Sequence, residues 1–509
     1  MSDGNFPIVL SADRSLMAAY AILLDGMAAA AQTTAWPAPL MWPVIAPPVA
    51  ARGLRAHQAP LGLRRIEAAL RGDGFAAGDV AVVPPERVEQ AIGPATRVVG
   101  LGSGDPLGLG MNSTTTTAIF GGRPVTSALF QRLAARVRRR LSEVGSSAPV
   151  VLGGPGAWQV RESSDAEAVC RRIGVSHVIS GYSEANVADL FHQMAAGAAL
   201  PLMLKGQGPT AEAIPAILGP TTMGMVEVSR GCGWGCRFCT LAGEPMIDLP
   251  VEAIVADIET NLSGGVNNIS LTTEDFFRYG AAGGRQADPG AVIGLLERIS
   301  RLPGLRTMAI DHANVVTVAQ YRDHDLRRVR RLLALGRDDL PMWVNVGVES
   351  AAGDLVAEGC GPAKMRPLAP AEWGEACLRE VTRLRDAGFV PVVSLVIGLP
   401  GERPEHVEAT LRWVDALRGR CVAIVPMLLT PVRSASGDRV AGDDLTRLQW
   451  ELFRRSMAST LRWLPGVYWR QHGAAGVPWP MRAMKQVFGR LHAWRWHIHL
   501  RWKLLAART

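Results

Sequence analysis

Short apolar runs alternate with helical patterns over the first two hundred residues. Segments 80–83, 97–102, 149–156 and 177–181 read as strands, and 64–70, 88–92, 125–144, 166–173 and 185–196 read as helices. Wholly apolar strands separated by helices predict a parallel, doubly wound sheet covered on both faces. Ligands of such sheets sit outside the carboxyl ends of the strands. Three of these strands run into small or glycine-rich loops, at Ser103, Gly104 and Asp105, at Gly153 and Gly154, and at Gly181 and Tyr182. Glycine there lets a bulky or phosphate-bearing ligand approach the backbone, although such turns use glycine for their own geometry too. The stretch from Met111 to Thr115 extends the first loop as a further candidate contact.

A proline- and glycine-bearing linker over 201–221 precedes a second βα series at longer spacing. Its strands are expected at 224–228, 268–272, 307–310, 343–348, 390–397 and 422–425. Six parallel strands with outer helices make a partial barrel whose chemistry belongs at the carboxyl ends of its strands. From about 445 onward the chain reads helical and tryptophan-rich. Near the start, 14–31 reads as an alanine-rich helix followed by an extended segment. Residues 26–51 carry no charge, but Pro37, Pro39, Pro43, Pro47 and Pro48 argue against a membrane span. The expected organisation is an extension over 1–54, a Rossmann-like domain over 55–200, the linker, a barrel over 222–440 and a helical cap over 441–509.

A length of 509 residues suits two or three domains. Hydrophobic residues at 48 % and charged residues at 20 % exclude a mainly disordered chain. Lysine plus arginine minus acids gives 54 − 46 = +8, too diffuse to argue for nucleic acid. Seven cysteines cannot form a disulfide scaffold. The amino terminus lacks a basic signal region, so a cytoplasmic, reduced protein is expected.

Three of the seven cysteines lie together. Ser229-Arg230-Gly231-Cys232-Gly233-Trp234-Gly235-Cys236-Arg237-Phe238-Cys239 follows the first barrel strand, giving C-x3-C-x2-C. Zinc sites usually join C-x2-C to a second pair, which is not adjacent here. Three thiolates on one loop suit a [4Fe–4S] cube with one iron left open. The motif, with Phe238 before its last cysteine, resembles the radical S-adenosylmethionine (SAM) superfamily. The resemblance implies that Cys232, Cys236 and Cys239 hold the cluster and that SAM binds nearby. Gly347-Val348-Glu349-Ser350 and Ile397-Gly398-Leu399-Pro400-Gly401 resemble its SAM-contacting segments, implying roles for Phe238, Glu349, Ser350, Gly398 and Pro400. Glu349 and Ser350 can bond ribose and amino groups, and Gly398 can admit a flat base.

The N-terminal half resembles the cobalamin-binding domain fused to many such enzymes, through Pro60-Leu61-Gly62-Leu63, Val151-Leu152-Gly153-Gly154-Pro155 and Ile179-Ser180-Gly181-Tyr182-Ser183-Glu184. By that resemblance Ser103, Gly104, Asp105, Gly153, Gly154, Gly181 and Tyr182 are candidate cobalamin contacts. The D-x-H-x-x-G motif of many such domains is missing, so base-off cobalamin without histidine ligation is expected.

The second barrel strand ends in Thr272-Thr273-Glu274-Asp275. This resembles the thiopeptide tryptophan methyltransferase type, in which a glutamate caps the fourth iron. On that reading Glu274 keeps SAM off the cluster and methyl transfer is polar. On the competing reading Glu274 or Asp275 binds SAM and radical chemistry proceeds. Asp311 and His312 end the third strand and are candidates for a general base or for substrate positioning. Cys170 and Cys377 read as core thiols, and Cys360 as a flexible, reactive one. The basic, tryptophan-bearing C-terminal helix can close the open side of the barrel, the favoured reading, or contact a membrane surface.

The expected function is methyl transfer from SAM, through methylcobalamin, to a carbon of a small-molecule or peptide substrate, with flavodoxin or ferredoxin as electron donor. The alternatives are a non-methylating radical SAM/cobalamin reaction and a non-catalytic cobalamin or cluster sensor. Methylthiolation is disfavoured, because a second cluster needs three more grouped cysteines.

Overall fold

The structure, a computed structural model, describes residues 4–36, 38–281, 284–430, 432 and 440–507. The chain divides into two compact units. One comprises Met1–Ser113, Gly122–Val226 and Glu252–Val266, and the other Thr114–Gly121, Glu227–Val251 and Asn267–Thr509.

The first unit is built on a six-stranded parallel sheet. Its strands are β1 (Ile8–Ala12), β2 (Val80–Val82), β3 (Val98–Gly102), β4 (Val150–Gly153), β5 (His177–Ser180) and β6 (Met203–Lys205), in the order β2-β1-β3-β4-β5-β6. Strand alternation sends Val9, Val99 and Leu152 to one face, against Phe130, Leu133 and Val137 of the helix Val125–Glu143. Ile8, Leu10 and Val98 go to the other, against Leu63, Leu70 and Phe191. Both faces are therefore covered, as the apolar runs predicted.

Three expectations for this unit change. Residues 8–12, read as part of an extension, form a strand inside the sheet, with Ile8 opposite both Val80 and Val98. Residues 203–205, read as linker, form its last strand. The expected 14–31 helix shrinks to Leu23–Ala30, and Ala38–Ile45 is helical around Pro43 where an extended segment was expected; Pro37 lies outside the described residues. A buried pair of Arg65 with Asp257 joins the helices Leu61–Gly72 and Val251–Ser263, with Asp257 Oδ1 also accepting from Ile217 N at 3.1 Å.

The chain enters the second unit along β7 (Met225–Glu227), and Val228 N donates to Thr272 O at 2.9 Å. The following strands are β8 (Asn268–Thr272), β9 (Thr307–Ile310), β10 (His312–Ala313), β11 (Met342–Glu349), β12 (Phe389–Ile397) and β13 (Ala423–Leu428). β8 pairs with β9 in parallel, and β10, β11, β12 and β13 form a second parallel ladder. Asp311 alone separates β9 from β10, so the two ladders share one line of chain. All six expected strands are present.

An open sheet leaves unpaired groups on its edge strand, which must be covered. The helix Arg447–Ala474 does so along β13: Thr460 Oγ1 accepts from Ile424 N at 2.8 Å and donates to Ile424 O at 2.6 Å. The last helix, Trp479–Ala506, packs on this one and sets Trp496 edge-on to Phe120, with ring centroids 4.8 Å apart. Capping of the edge thus falls to the penultimate helix. Among the described residues no helix is long and apolar enough to cross a membrane.

Candidate functional site

The cysteine loop leaves β7 and is shaped by three left-handed glycines: Gly231, Gly233 and Gly235 have φ of 69°, 68° and 69°. A Cβ at Gly231 would run into the carbonyl of Pro245, so that position admits only glycine. Trp234 is buried and donates from its indole to Asp275 Oδ2 at 3.2 Å. Asp275 also accepts from Thr317 Oγ1 at 2.7 Å and Asn314 N at 3.2 Å. With three donors satisfied and no exposure, Asp275 anchors the loop and is unsuited to bind SAM. The guanidinium of Arg278 lies over Trp234, 4.8 Å from its centroid, and donates to Cys232 O. Arg237 N donates to Cys360 O at 3.0 Å. Cys360 is itself fully buried, and burial pushes its thiol well up, so the expected reactive thiol is inert.

The three thiols are close enough to influence one another's ionisation. Burial pushes Cys232 up to about 12 and raises Cys236 and Cys239. Thiols so placed become thiolates only when a cation compensates the lost solvation. The donor set, three thiols with Leu241 N already directed at Cys239 Sγ (3.4 Å), fits an iron–sulfur cube. Among the described residues no three His, Cys, Asp or Glu side chains converge on a point that would hold one metal ion. That bears on zinc, whose ligands close on one ion, and not on a cube, whose thiolates bind different irons.

Around the loop stand carboxylates from the neighbouring strand ends. Glu274 follows β8 with an exposed side chain, yet surrounding protein raises its carboxyl by desolvation, with His312 opposing. Exposure within crowded surroundings describes a group lining a recess. Glu274 acts electrostatically on Cys239, so these two expected residues are brought together. His312 Nδ1 lies 3.1 Å from Asp311 Oδ1. Burial alone would lower His312, but Asp311, Glu274 and Glu349 raise it to about 9. Asp311 is pulled below the usual carboxylate range: burial would raise it and His312 outweighs that. At neutral pH the pair is ionised, so neither member is a ready general base.

Glu349 ends β11 at a register shift and is itself left-handed, φ 62°. A non-glycine residue held so stores local strain. Its Oε1 meets Lys364 Nζ at 2.7 Å, with both side chains 7 % exposed. Burial would lower the Lys364 ammonium, but Glu349 more than offsets this and the pKa rises. Lys364 also lies near Cys236. Sequence reasoning missed this lysine; its only signal was rarity, one of four lysines among 54 basic residues. Ser350 does not stand beside Glu349 as a free donor. Its hydroxyl lies 3.0 Å from Thr410 Oγ1 and accepts from Ala352 N at 3.1 Å, at the start of the helix Gly353–Gly359. Gly398 is left-handed, φ 85°, and its N donates to Glu402 Oε2 at 3.1 Å. The space a Cβ would take there is filled by Val440, not left for a flat ring. Phe238 and Pro400 are half-buried.

In the first unit the carboxyl edge shows which glycines face space. A Cβ at Gly153 would meet nothing within 4 Å, one at Gly104 only Leu16 at 3.8 Å, and one at Gly181 only Gly206 O at 4.0 Å. These three form an open cradle of the kind a large planar ligand fills, and cobalamin fits it. A Cβ at Gly154, by contrast, would come within 3.0 Å of Ser103 O, so this glycine serves the packing of the two loops. Ser103 is buried in that same contact. Asp105 accepts from Gln159 Nε2 at 2.6 Å, Thr126 Oγ1 at 2.9 Å, Gly110 N at 3.0 Å and Ser113, so it organises its own loop. Tyr182 is 38 % exposed. Residues 111–115, expected as loop, open the helix Met111–Phe120.

One polar residue here was missed. Asp13 follows β1, at the point where the order β2-β1-β3 reverses and where such sheets bind ligands. It is 1 % exposed, its Oδ1 bonds Ser15, and its Oδ2 has no partner. Burial raises its pKa to about 6. The loop reads Asp13-Arg14-Ser15, with serine where D-x-H would set histidine.

Comparison with known proteins places this geometry. Residues 226–414 match the radical SAM superfamily model. The ribosomal protein uS12 methylthiotransferase RimO of Oleidesulfovibrio alaskensis is 25 % identical over 198 residues, 38 % of this chain and 41 % of that protein. The RimO of Sorangium cellulosum is 24 % identical over 202 residues, 37 % of this chain and 38 % of its own length. The chain thus aligns with well under half of these relatives. Two structures of the radical SAM methyltransferase TsrM from Kitasatospora setae share the fold at a TM-score of 0.51 and 16 % identity. One, with tryptophan and aza-SAM bound, covers 82 % of this chain and 72 % of its own; the other, with cobalamin and a [4Fe–4S] cluster bound, covers 83 % and 75 %. Residues 226–414, carrying the cysteine loop at the carboxyl end of a parallel strand series, are a radical SAM domain.

Proposed function

We propose that this chain is a cobalamin-dependent radical SAM methyltransferase that moves a methyl group from SAM to a carbon of its substrate. The observation that carries the reading is the loop of Cys232, Cys236 and Cys239, shaped by three left-handed glycines, with Glu274 near enough to act electrostatically on Cys239. These cysteines would hold the cluster, with Phe238, Glu349 and Pro400 near SAM and the Gly104, Gly153, Gly181 and Tyr182 edge near cobalamin. When bound, the groups supply an electron source, a methyl donor and a methyl carrier.

The protein supplies position and charge. Lys364, fixed on Glu349, places a buried cation near Cys236 and favours thiolate there. Arg278 fixes the backbone of Cys232. His312, charged at neutral pH, pulls Glu274 and Asp311 toward their carboxylate forms, although burial still leaves Glu274 raised. As a carboxylate, Glu274 would suit either role expected of it, a cap on the open iron or a partner for the SAM amino group.

The methylthiotransferase relatives suggest a second reading. It asks for a further cluster, and the remaining cysteines, Cys170, Cys360, Cys377 and Cys421, are scattered, with the first three buried. An electron donor of the flavodoxin or ferredoxin class and a small-molecule or peptide substrate complete the proposal.

The test is anaerobic reconstitution with iron, sulfide and cobalamin, followed by SAM and reductant. S-adenosylhomocysteine that forms only with cobalamin supports the proposal; 5′-deoxyadenosine alone contradicts it. Glu274→Ala should let SAM change the cluster's electronic spectrum. An unchanged spectrum removes the cap reading and leaves methyl transfer standing.

A further inference from the structure

The last helix, Trp479–Ala506, turns an apolar stripe toward water. Met484, Val487, Leu491, Trp494, Trp502 and Leu505 are between 38 % and 80 % exposed and recur at helical spacing on one face. The opposite face is the one that packs, through Trp496 and Leu500. Two tryptophans with 65 % and 70 % of their surface in water, in line with four further apolar side chains, exceed the scattered exposure of an ordinary surface.

Charge narrows what covers this face. The helix carries Arg482, Lys485, Arg490, Arg495, Arg501 and Lys503 and no aspartate or glutamate. Arg490 and Arg501 are exposed and flank the stripe. A cavity of about 460 Å³ opens between this helix and the preceding one, lined by Gly466, Trp469, Ala483, Gln486, Val487 and Arg490. Val487 belongs to both stripe and cavity, and Arg490 lines the cavity while flanking the stripe, so an apolar slot with a guanidinium at its rim adjoins the exposed face.

We propose that this face seats on an anionic phospholipid bilayer. The tryptophans lie at headgroup depth, Arg490 and Arg501 meet lipid phosphates, and the slot receives part of an acyl chain. A second copy of this helix would set arginine against arginine, with no acid on either side to offset the repulsion. A span is not involved, since no described helix is long and apolar enough.

The experiment is flotation of the full chain, purified anaerobically with its cofactors, on phosphatidylcholine vesicles with and without phosphatidylglycerol. The protein should float with the mixed vesicles, stay behind with phosphatidylcholine alone, and be released by salt. Arg490→Gln and Arg501→Gln should each weaken partition about fivefold, and Trp494→Ser should weaken it further. Unchanged helical dichroism and cluster absorbance show that a variant is folded, and Trp502→Ser replaces Trp494→Ser if that variant fails the check. Three results overturn the proposal: no flotation on the mixed vesicles, equal partition on both kinds, or a dimer in light scattering that Trp494→Ser dissolves without any vesicle binding.

Discussion

Glu349 and Lys364 carry opposite charges in a place where neither alone is tolerable. Removing one partner of a buried pair leaves an uncompensated charge, at a cost of about 3–5 kcal/mol. Urea unfolding should therefore find Lys364→Met destabilised by that order, and Glu349→Gln with Lys364→Met together less destabilised than the single variant. Equal losses in both would mean that the pair does not matter as a pair. Asp13 makes the opposite case. Its folded pKa, about 6, lies above its ordinary value, so the folded state binds the proton more tightly. The resulting penalty is absent well below pH 4, grows as pH rises, and is complete above about 6. A shift of about two pH units is worth about 3 kcal/mol. Asp13→Asn should raise the melting temperature at pH 7 and leave it nearly unchanged at pH 4; a rise of the same size at both would remove the titration argument. Neither Lys364 nor Asp13 was legible in the sequence. Lys364 matters only because the fold sets it against Glu349, and Asp105 looked like a ligand until Gln159 and Thr126 were seen to occupy it.

Elements were legible where burial was two-sided. β2 and β4 fall where uninterrupted apolar runs placed them, because strands covered on both faces need no polar alternation. β1 escaped because five residues with no helical pattern before them carry little signal, although Ile8, Val9 and Leu10 are fully buried. Their burial is worth roughly 5–9 kcal/mol, comparable with a whole domain's net stability. A chain beginning at residue 55 should thus lose the cooperative unfolding of the first unit, seen by calorimetry; a retained transition would show β1 to be dispensable. The helix Met111–Phe120 escaped for another reason: its run of threonines has low helical propensity, and contacts such as Thr115 Oγ1 accepting from Leu428 N (2.8 Å) override it. The cysteine loop was legible because three left-handed glycines and three thiols lie within nine residues. Gly231→Ala should abolish cluster incorporation and leave far-ultraviolet dichroism intact. A normal cluster in that variant would mean the loop does not need its left-handed turn.

At the scale of the molecule, the residues singled out from sequence in each of the two units lie at the carboxyl ends of parallel strands, where such folds bind their ligands. Sequence spacing found both edges, and it found the cofactor class through one loop. It named Asp311 and His312 but did not find the charges that act on that loop, Lys364 and Arg278, since these meet it only in three dimensions. The central claim is that Cys232, Cys236 and Cys239 hold a cluster. Iron and sulfide analysis of the anaerobically reconstituted full chain tests it most directly. About four irons and four sulfides per chain are expected, falling to background when all three cysteines are replaced by alanine. Zinc in place of iron, or iron that survives the triple replacement, would contradict it.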